Sequence, residues 1–129
     1  MKIRFFKSVD MDSNVKATIH ISGRLGFNSN AQKKLNIDNS KFIKIGFGED
    51  FEKDKILYFV ITNEEDEETF SIAKAGEYFY ANTKGLFDSI GIDYEHQKVI
   101  YDITEVIFDE EKYYKLKPRI RERKKDDLE

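Results

Sequence analysis

The chain has no cysteine and no tryptophan, one proline in 129 residues, and no apolar run near the roughly 20 residues a membrane-spanning helix needs. Without cysteine there is no disulfide framework, no thiolate nucleophile and no metal site built on sulfur. The opening residues, Met-Lys-Ile-Arg-Phe-Phe-Lys, scatter charge where a signal peptide would hold an uninterrupted apolar core. The expectation is a soluble, cytoplasmic protein with no membrane contact. Two histidines, His20 and His96, are too few to suggest zinc. The acidic run Glu64–Glu68 lacks the glycine and spaced ligands of a calcium loop. No cofactor and no metal is expected. No Gly-x-Ser-x-Gly, Gly-x-x-x-x-Gly-Lys or Gly-x-Gly-x-x-Gly occurs, so the common nucleophile and phosphate-binding motifs are missing.

What is present is aromatic and charged. Eleven Phe and seven Tyr supply core material, although 36% of residues are charged. The net charge of −3 conceals blocks. Residues 1–47 hold nine basic and three acidic residues, 48–69 two and nine, 70–114 four and nine, and 115–129 seven and four. The two ends suit a polyanion and the middle repels one.

Along the chain, Lys2–Lys7 reads as a strand and Ser8–Asn14 as a polar turn. Ala17, Ile19 and Ile21 then alternate with Thr18 and His20, the period of a half-buried strand. Gly23 turns the chain, Leu25-Gly26-Phe27 resumes it, and Asn28 offers an N-cap to a short helix carrying Ala31 and Leu35. Strands follow at Phe42–Phe47 and Ile56–Ile61, with an acidic link at 48–55 between them. After Glu64–Glu68 the order returns: a strand around Phe70–Ala75, Gly76, Tyr78-Phe79-Tyr80, an Asn82-Thr83 cap, a helix with Leu86, Phe87 and Ile90, Gly91, and a strand at Val99–Ile103. Laid together, Gly23 falls over Gly76, Leu35-Asn36-Ile37-Asp38 over Ile90-Gly91-Ile92-Asp93, and Ile45 over Ile100. The predicted fold is β-rich α+β, a strand–turn–strand–short helix–strands unit occurring twice in one compact domain over 1–117. Repeat one covers about 16–62 and repeat two about 69–116. Pro118 is expected to end the fold, leaving 118–129 as a mobile charged tail.

The first unit resembles the DNA-binding module of the AbrB/MazE/MraZ superfamily, the swapped-hairpin fold, through Ile19-His20-Ile21-Ser22-Gly23-Arg24-Leu25-Gly26-Phe27, Leu35-Asn36-Ile37-Asp38 and Phe42-Ile43-Lys44-Ile45. Two copies in one chain resemble the tandem MraZ arrangement. The chain departs from the family pattern at Asn28, where a proline usually precedes the helix, and at Lys33 and Lys34, where arginines are usual. Glu77 replaces the turn arginine in the second unit. The resemblance implies DNA contact through the first copy, with the second holding the fold together.

Arg24 is the leading nucleic-acid-binding residue, because an arginine beside a glycine turn can fork onto phosphate or a guanine edge. The competing reading is an exposed charge paired with a carboxylate, and both stay open at this point. Lys16, Lys33, Lys34 and Lys44, with Lys41, matter only as a surplus. Tyr78-Phe79-Tyr80, Phe5 and Phe6 offer stacking platforms for bases, against the plainer reading of strand packing. Asp93 or Asp102 with Glu110 and Lys112 has the outline of a metal-dependent nuclease site, a pattern that charged chains produce by chance. The expected function is non-enzymatic DNA binding, of the transcriptional-regulator kind, by a homo-oligomer joined through edge strands. The alternative is an interaction or phage-type structural protein, its acidic segment 48–69 docking a protein partner.

Overall fold

The computed structural model describes residues 2–5 and 14–124, and among them alternating apolar residues build eight strands: β1 (Lys16–Ile19), β2 (Leu25–Phe27), β3 (Phe42–Phe47), β4 (Leu57–Thr62), β5 (Thr69–Ala75), β6 (Tyr78–Ala81), β7 (Gln97–Phe108) and β8 (Glu111–Glu122). Among the described residues three short helices interrupt them: α1 (Ser29–Lys34), α2 (Phe51–Asp54) and α3 (Lys84–Ser89). The strands close into an antiparallel barrel in the order β1-β2-β6-β5-β3-β4-β8-β7, with β7 returning to β1. Closure satisfies the strand edges that an open sheet would leave to water.

Alternation decides the inside. Ala17 and Ile19, Leu25 and Phe27, Leu57 and Phe59, then Val99, Tyr101 and Ile103 all point inward and are buried. Phe27 and Phe59 meet at 5.9 Å between ring centroids, and Phe59 meets Tyr114 at 5.1 Å. Each such ring contributes about 1.5–3 kcal/mol by leaving water. Burial also pushes the Tyr101 phenol well above its ordinary pKa.

Each helix turns one apolar residue into the core, Ala31, Phe51 and Phe87. Asn28 caps α1, its Oδ1 accepting from the Ala31 N–H at 2.9 Å, and Ala31 and Leu35 are buried. Asn36 leaves α1 with φ +53. The acidic link at 48–55 is not plain loop. Phe51 is buried at the start of a single helical turn, which Lys55 ends in the left-handed region. Thr83 stands at the head of α3 without capping it, because its hydroxyl turns into the barrel.

Residues 2–5 form no strand, and the rest of the expected first strand and turn, 6–13, lies outside the described residues. The chain does not stop at Pro118. β8 runs on to Glu122, pairing Tyr101 with Pro118 and Gln97 with Glu122. Proline is tolerated there because Pro118 lies two residues beyond the last pair with β4, where β8 is laddered to β7 alone. Residues 125–129 of the expected tail lie outside the described residues.

Candidate nucleic-acid interface

The tight β7–β8 hairpin sets one face of the barrel wall. Asp109 and Glu110 take φ of +51 and +65, the two positive angles of a type I′ turn, so twelve residues of each strand stay in register. Because Val99, Tyr101 and Ile103 point inward, their neighbours Lys98, Ile100, Asp102 and Thr104 point outward. Directly across lie Arg121, Arg119, Lys117 and Lys115. Four basic residues at period two thus stand on one ridge of β8, spanning about 20 Å from Lys115 to Arg121. Lys98 flanks them on β7. Lys16 flanks them on β1, where it faces Asp102.

Asp102 is the one carboxylate among these outward positions from Lys98 to Thr104, Lys115 to Arg121 and at Lys16. It accepts from Arg119 Nε at 2.8 Å and Nη2 at 3.2 Å, and Lys16 Nζ lies 4.0 Å away. Six basic side chains and one carboxylate thus share these outward positions. Lys117, Arg119 and Arg121 are exposed.

A second group lies half-way round the barrel from the β8 ridge. The cross-strand row Arg119–Ile100–Thr18–Gly26–Tyr80 runs round the barrel from β8 to β6. At its far end Arg24 lies over the Tyr80 ring, 4.9 Å from the centroid, a cation–π contact. Gly26 permits this, since a Cβ there would sit 2.7 Å from Tyr80 Cε1. The turn holding Arg24 needs Gly23 at φ +87. Thr83 clasps that turn. Its Oγ1 accepts from the Leu25 N–H at 3.0 Å and donates toward the carbonyls of Gly23 at 3.1 Å and Ala81 at 3.2 Å. Arg24 Nε donates to Ser22 Oγ at 3.4 Å, and Ser22 supplies its N–H and hydroxyl to His20 Nδ1 at 3.1 and 2.9 Å. His20 is therefore an acceptor at Nδ1. Desolvation, then the charges of Arg24 and Arg123, hold its pKa below the ordinary value. Arg123 is bound to the carbonyls of Tyr94 at 2.7 Å and Ile19 at 2.9 Å, so it ties β1 to the α3–β7 loop.

The residues expected from sequence are thus dispersed. Lys16 joins the basic wall, whereas Arg24 lies with Tyr80 at the β2–β6 contact, on the other side of the barrel from the β8 ridge. Lys33 and Lys34 are exposed in the last turn of α1, which packs against β1 and β2. Lys44 stands elsewhere, on β3, joined to Asp66 at 2.8 Å and Glu68 at 3.7 Å. Its pKa is raised chiefly by its hydrogen bond to Asp66. Of the ridge, Arg119 and Arg121 fall in the expected tail 118–129, whereas Lys115 and Lys117 lie inside the expected fold. The signal of the ridge is the strict alternation of basic residues with Tyr114, Leu116, Pro118 and Ile120. Phe79 is half-buried against the core, Tyr80 serves as the arginine platform, and Tyr78 and Phe5 are exposed.

The nuclease outline is not assembled. Asp93 bonds His96, Asp102 bonds Arg119, Lys112 pairs with Glu105 at 3.4 Å, and Glu110 sits at the hairpin tip. Asp102 and the tip are separated by about 20 Å of strand. No group of three or more His, Asp or Glu placed to hold a metal ion occurs among the described residues. No helix among them is long and apolar enough to cross a membrane. Comparison with protein-family profiles, curated proteins and solved structures finds no match to this chain.

Proposed function

We propose that this barrel is a non-enzymatic DNA-binding protein that seats the phosphate backbone on the outward wall of β1, β7 and β8. The carrying observation is the ridge of Lys115, Lys117, Arg119 and Arg121, flanked by Lys98 and Lys16. A B-form duplex carries one charge per about 1.7 Å of axis, so a 20 Å ridge faces many phosphates. Arg24, stacked on Tyr80 of β6, stands four strands round the barrel from the β8 ridge and is not part of this contact.

We further propose that the barrel is an internal duplication of the swapped-hairpin type. What supports this is that its ladders map onto themselves when the halves are exchanged. Replacing Ala17 by Ile72, Gly26 by Tyr80, Ile43 by Ile103 and Phe59 by Tyr114, with their strands, turns the β1–β2 register into that of β5–β6. The same exchange turns β3–β4 into β7–β8, and β3–β5 into β7–β1. The partner of Ile103 is then Ile43, not the Ile45–Ile100 match of simple alignment. Under this exchange Arg119, Arg121 and Arg123 correspond to Glu64, Asp66 and Glu68. The arginines of the second unit therefore stand where the first is acidic, while Lys115 and Lys117 stand over Val60 and Thr62.

The test is retention of a DNA duplex as a function of salt. With about five phosphate contacts, affinity should fall roughly 500-fold between 50 and 200 mM salt. Lys117→Ala with Arg121→Ala should lower the slope of log affinity against log salt by about 2. Absence of retention at low salt, or an unchanged slope in the double variant, refutes the proposal.

A further inference from the structure

The barrel has a second uncovered surface, opposite the Arg24 platform. In the ring of strands the β2–β6 contact and the β4–β8 contact stand diametrically opposed. At the latter, β4 and β8 pair only over Leu57–Phe59 and Tyr114–Leu116, and the hairpins β3–β4 and β7–β8 then run on. They border a groove of about 720 Å3 lined by Phe47, Tyr58 and Val60 on one side and Val106, Phe108 and Tyr113 on the other. Phe47, Ile107 and Phe108 are 64, 74 and 68% exposed, which is costly for a surface meant to stay in water. Gly46 adds no bulk, since a Cβ there would meet nothing within 4 Å.

Backbone is open beside the groove too. Among the described residues β3 ladders with β5 only over Phe42–Lys44, and β7 with β1 only over Ile100–Asp102, with one further bond from Ile103 to Val15. The edges left free at Ile45–Phe47 and Glu105–Phe108 face β5 and β1; toward the groove itself, Val60–Thr62 of β4 and Glu111–Tyr113 of β8 each keep an edge that an added strand can use. The rim is acidic. Glu49 and Asp50 follow β3, Asp109, Glu110 and Glu111 form the other tip, and Glu68 lines the groove. Two lysines also line it: Lys44, which is joined to Asp66 and Glu68, and Lys115, which faces Tyr58.

The complementary chemistry is in the chain itself. Lys2-Ile3-Arg4-Phe5 alternates basic and apolar residues, so in extended form Ile3 and Phe5 share one face and Lys2 and Arg4 the other. This segment pairs with no strand here. Ile3 is 66% and Phe5 88% exposed, so it does not occupy the groove of its own chain. Four extended residues span about 13–14 Å, the length of Lys44–Phe47 along β3.

We propose that the occupant of this groove is the Lys2–Phe5 segment of a second copy, so that the protein assembles with itself through an arm. Ile3 and Phe5 enter between Phe47 and Phe108, the arm's backbone adds to an open edge, and Lys2 and Arg4 meet the acidic rim. Arm docking does not rest on the DNA-binding reading, although Lys115 borders both surfaces.

The chain's lack of cysteine makes a trapping experiment clean. A Phe5→Cys protein is mixed with a Phe47→Cys protein of different tagged mass under mild oxidation. A disulfide-linked species combining the two masses is expected. In sedimentation of the full chain at about 10–100 µM, the wild type should be dimeric or larger. Ile3→Glu with Phe5→Glu, and separately Phe47→Glu with Ile107→Glu, should weaken self-association by about a hundredfold or more. All four positions are exposed, so the barrel should keep its circular dichroism. A wild type that stays monomeric, including one with its arm in its own groove, overturns the proposal. So does an arm variant that assembles like the wild type, or a mixture without the combined-mass product.

Discussion

Thr83→Val tests whether one buried hydroxyl sets the turn that presents Arg24. Thr83 is fully buried, and its Oγ1 is the acceptor for the equally buried Leu25 N–H. Valine keeps the shape and removes the oxygen. Leu25 then retains a desolvated donor, at about 1–3 kcal/mol, and the bond toward Gly23 O is lost, at about 1 kcal/mol. The added methyl returns about 0.8 kcal/mol. The net expectation is destabilisation by about 2 kcal/mol. No capping term enters, since the Thr83 side chain makes no cap bond to α3. With a urea slope of about 1.5 kcal/mol/M, the unfolding midpoint should fall by about 1.3 M. Thr83→Ser keeps the oxygen and should lose less than about 1 kcal/mol. A valine variant within about 0.5 kcal/mol of wild type, or a serine variant as damaged as valine, would refute the clasp.

Gly26→Val should drive Tyr80 off the strand, because a Cβ meets Tyr80 Cε1 at 2.7 Å. Arg24 should then lose the upfield ring-current shift of its side-chain resonances, and persistence of that shift would count against the stacked pair. The two histidines should move stability with pH in opposite directions. His20, held low chiefly by desolvation, binds protons less readily folded than unfolded, so its contribution is present above about pH 6.5 and lost as pH falls through its folded value. His96, raised chiefly by its hydrogen bond to Asp93, contributes below about pH 6.5 and loses that contribution as pH rises through its folded value. Urea midpoints from pH 5 to 8 should show the wild-type advantage over His20→Gln shrinking on acidification. The advantage over His96→Gln should shrink on alkalinisation, and parallel curves would exclude both.

Local chemistry was the legible part of this sequence. Alternation around Ala17 and Ile19, the Asn28 cap and the stops at Asn36 and Gly91 act within a few residues, and all are where the pattern puts them. What escaped depends on distant partners. Thr83 looks like a cap because threonine before a helix usually is one, and only the arrival of Gly23 and Leu25 recruits its hydroxyl inward. Pro118 looks like a terminator, and only the one-sided ladder of β8 accommodates it. Lys44 looks like a DNA contact until the 64–68 loop folds back to neutralise it. The basic ridge was a matter of period: counted as net charge, residues 115–121 are merely positive, whereas read as a strand they place every cation on one side.

The two proposed surfaces differ in what drives them, and salt separates them. A wall bearing Lys115, Lys117, Arg119 and Arg121 and a rim bearing Asp109, Glu110 and Glu111 belong to the same hairpin, so copies of the barrel attract one another non-specifically at low ionic strength. That attraction would imitate self-assembly and compete with DNA, and it fades once the Debye length falls to about 8 Å near 0.15 M. An arm seated by Ile3 and Phe5 is held chiefly by apolar burial, which salt does not screen. Assembly that survives 0.5 M salt while DNA is released therefore belongs to the groove between the hairpins. Assembly that disappears with the DNA belongs to the charged wall, and the arm then has no part in it.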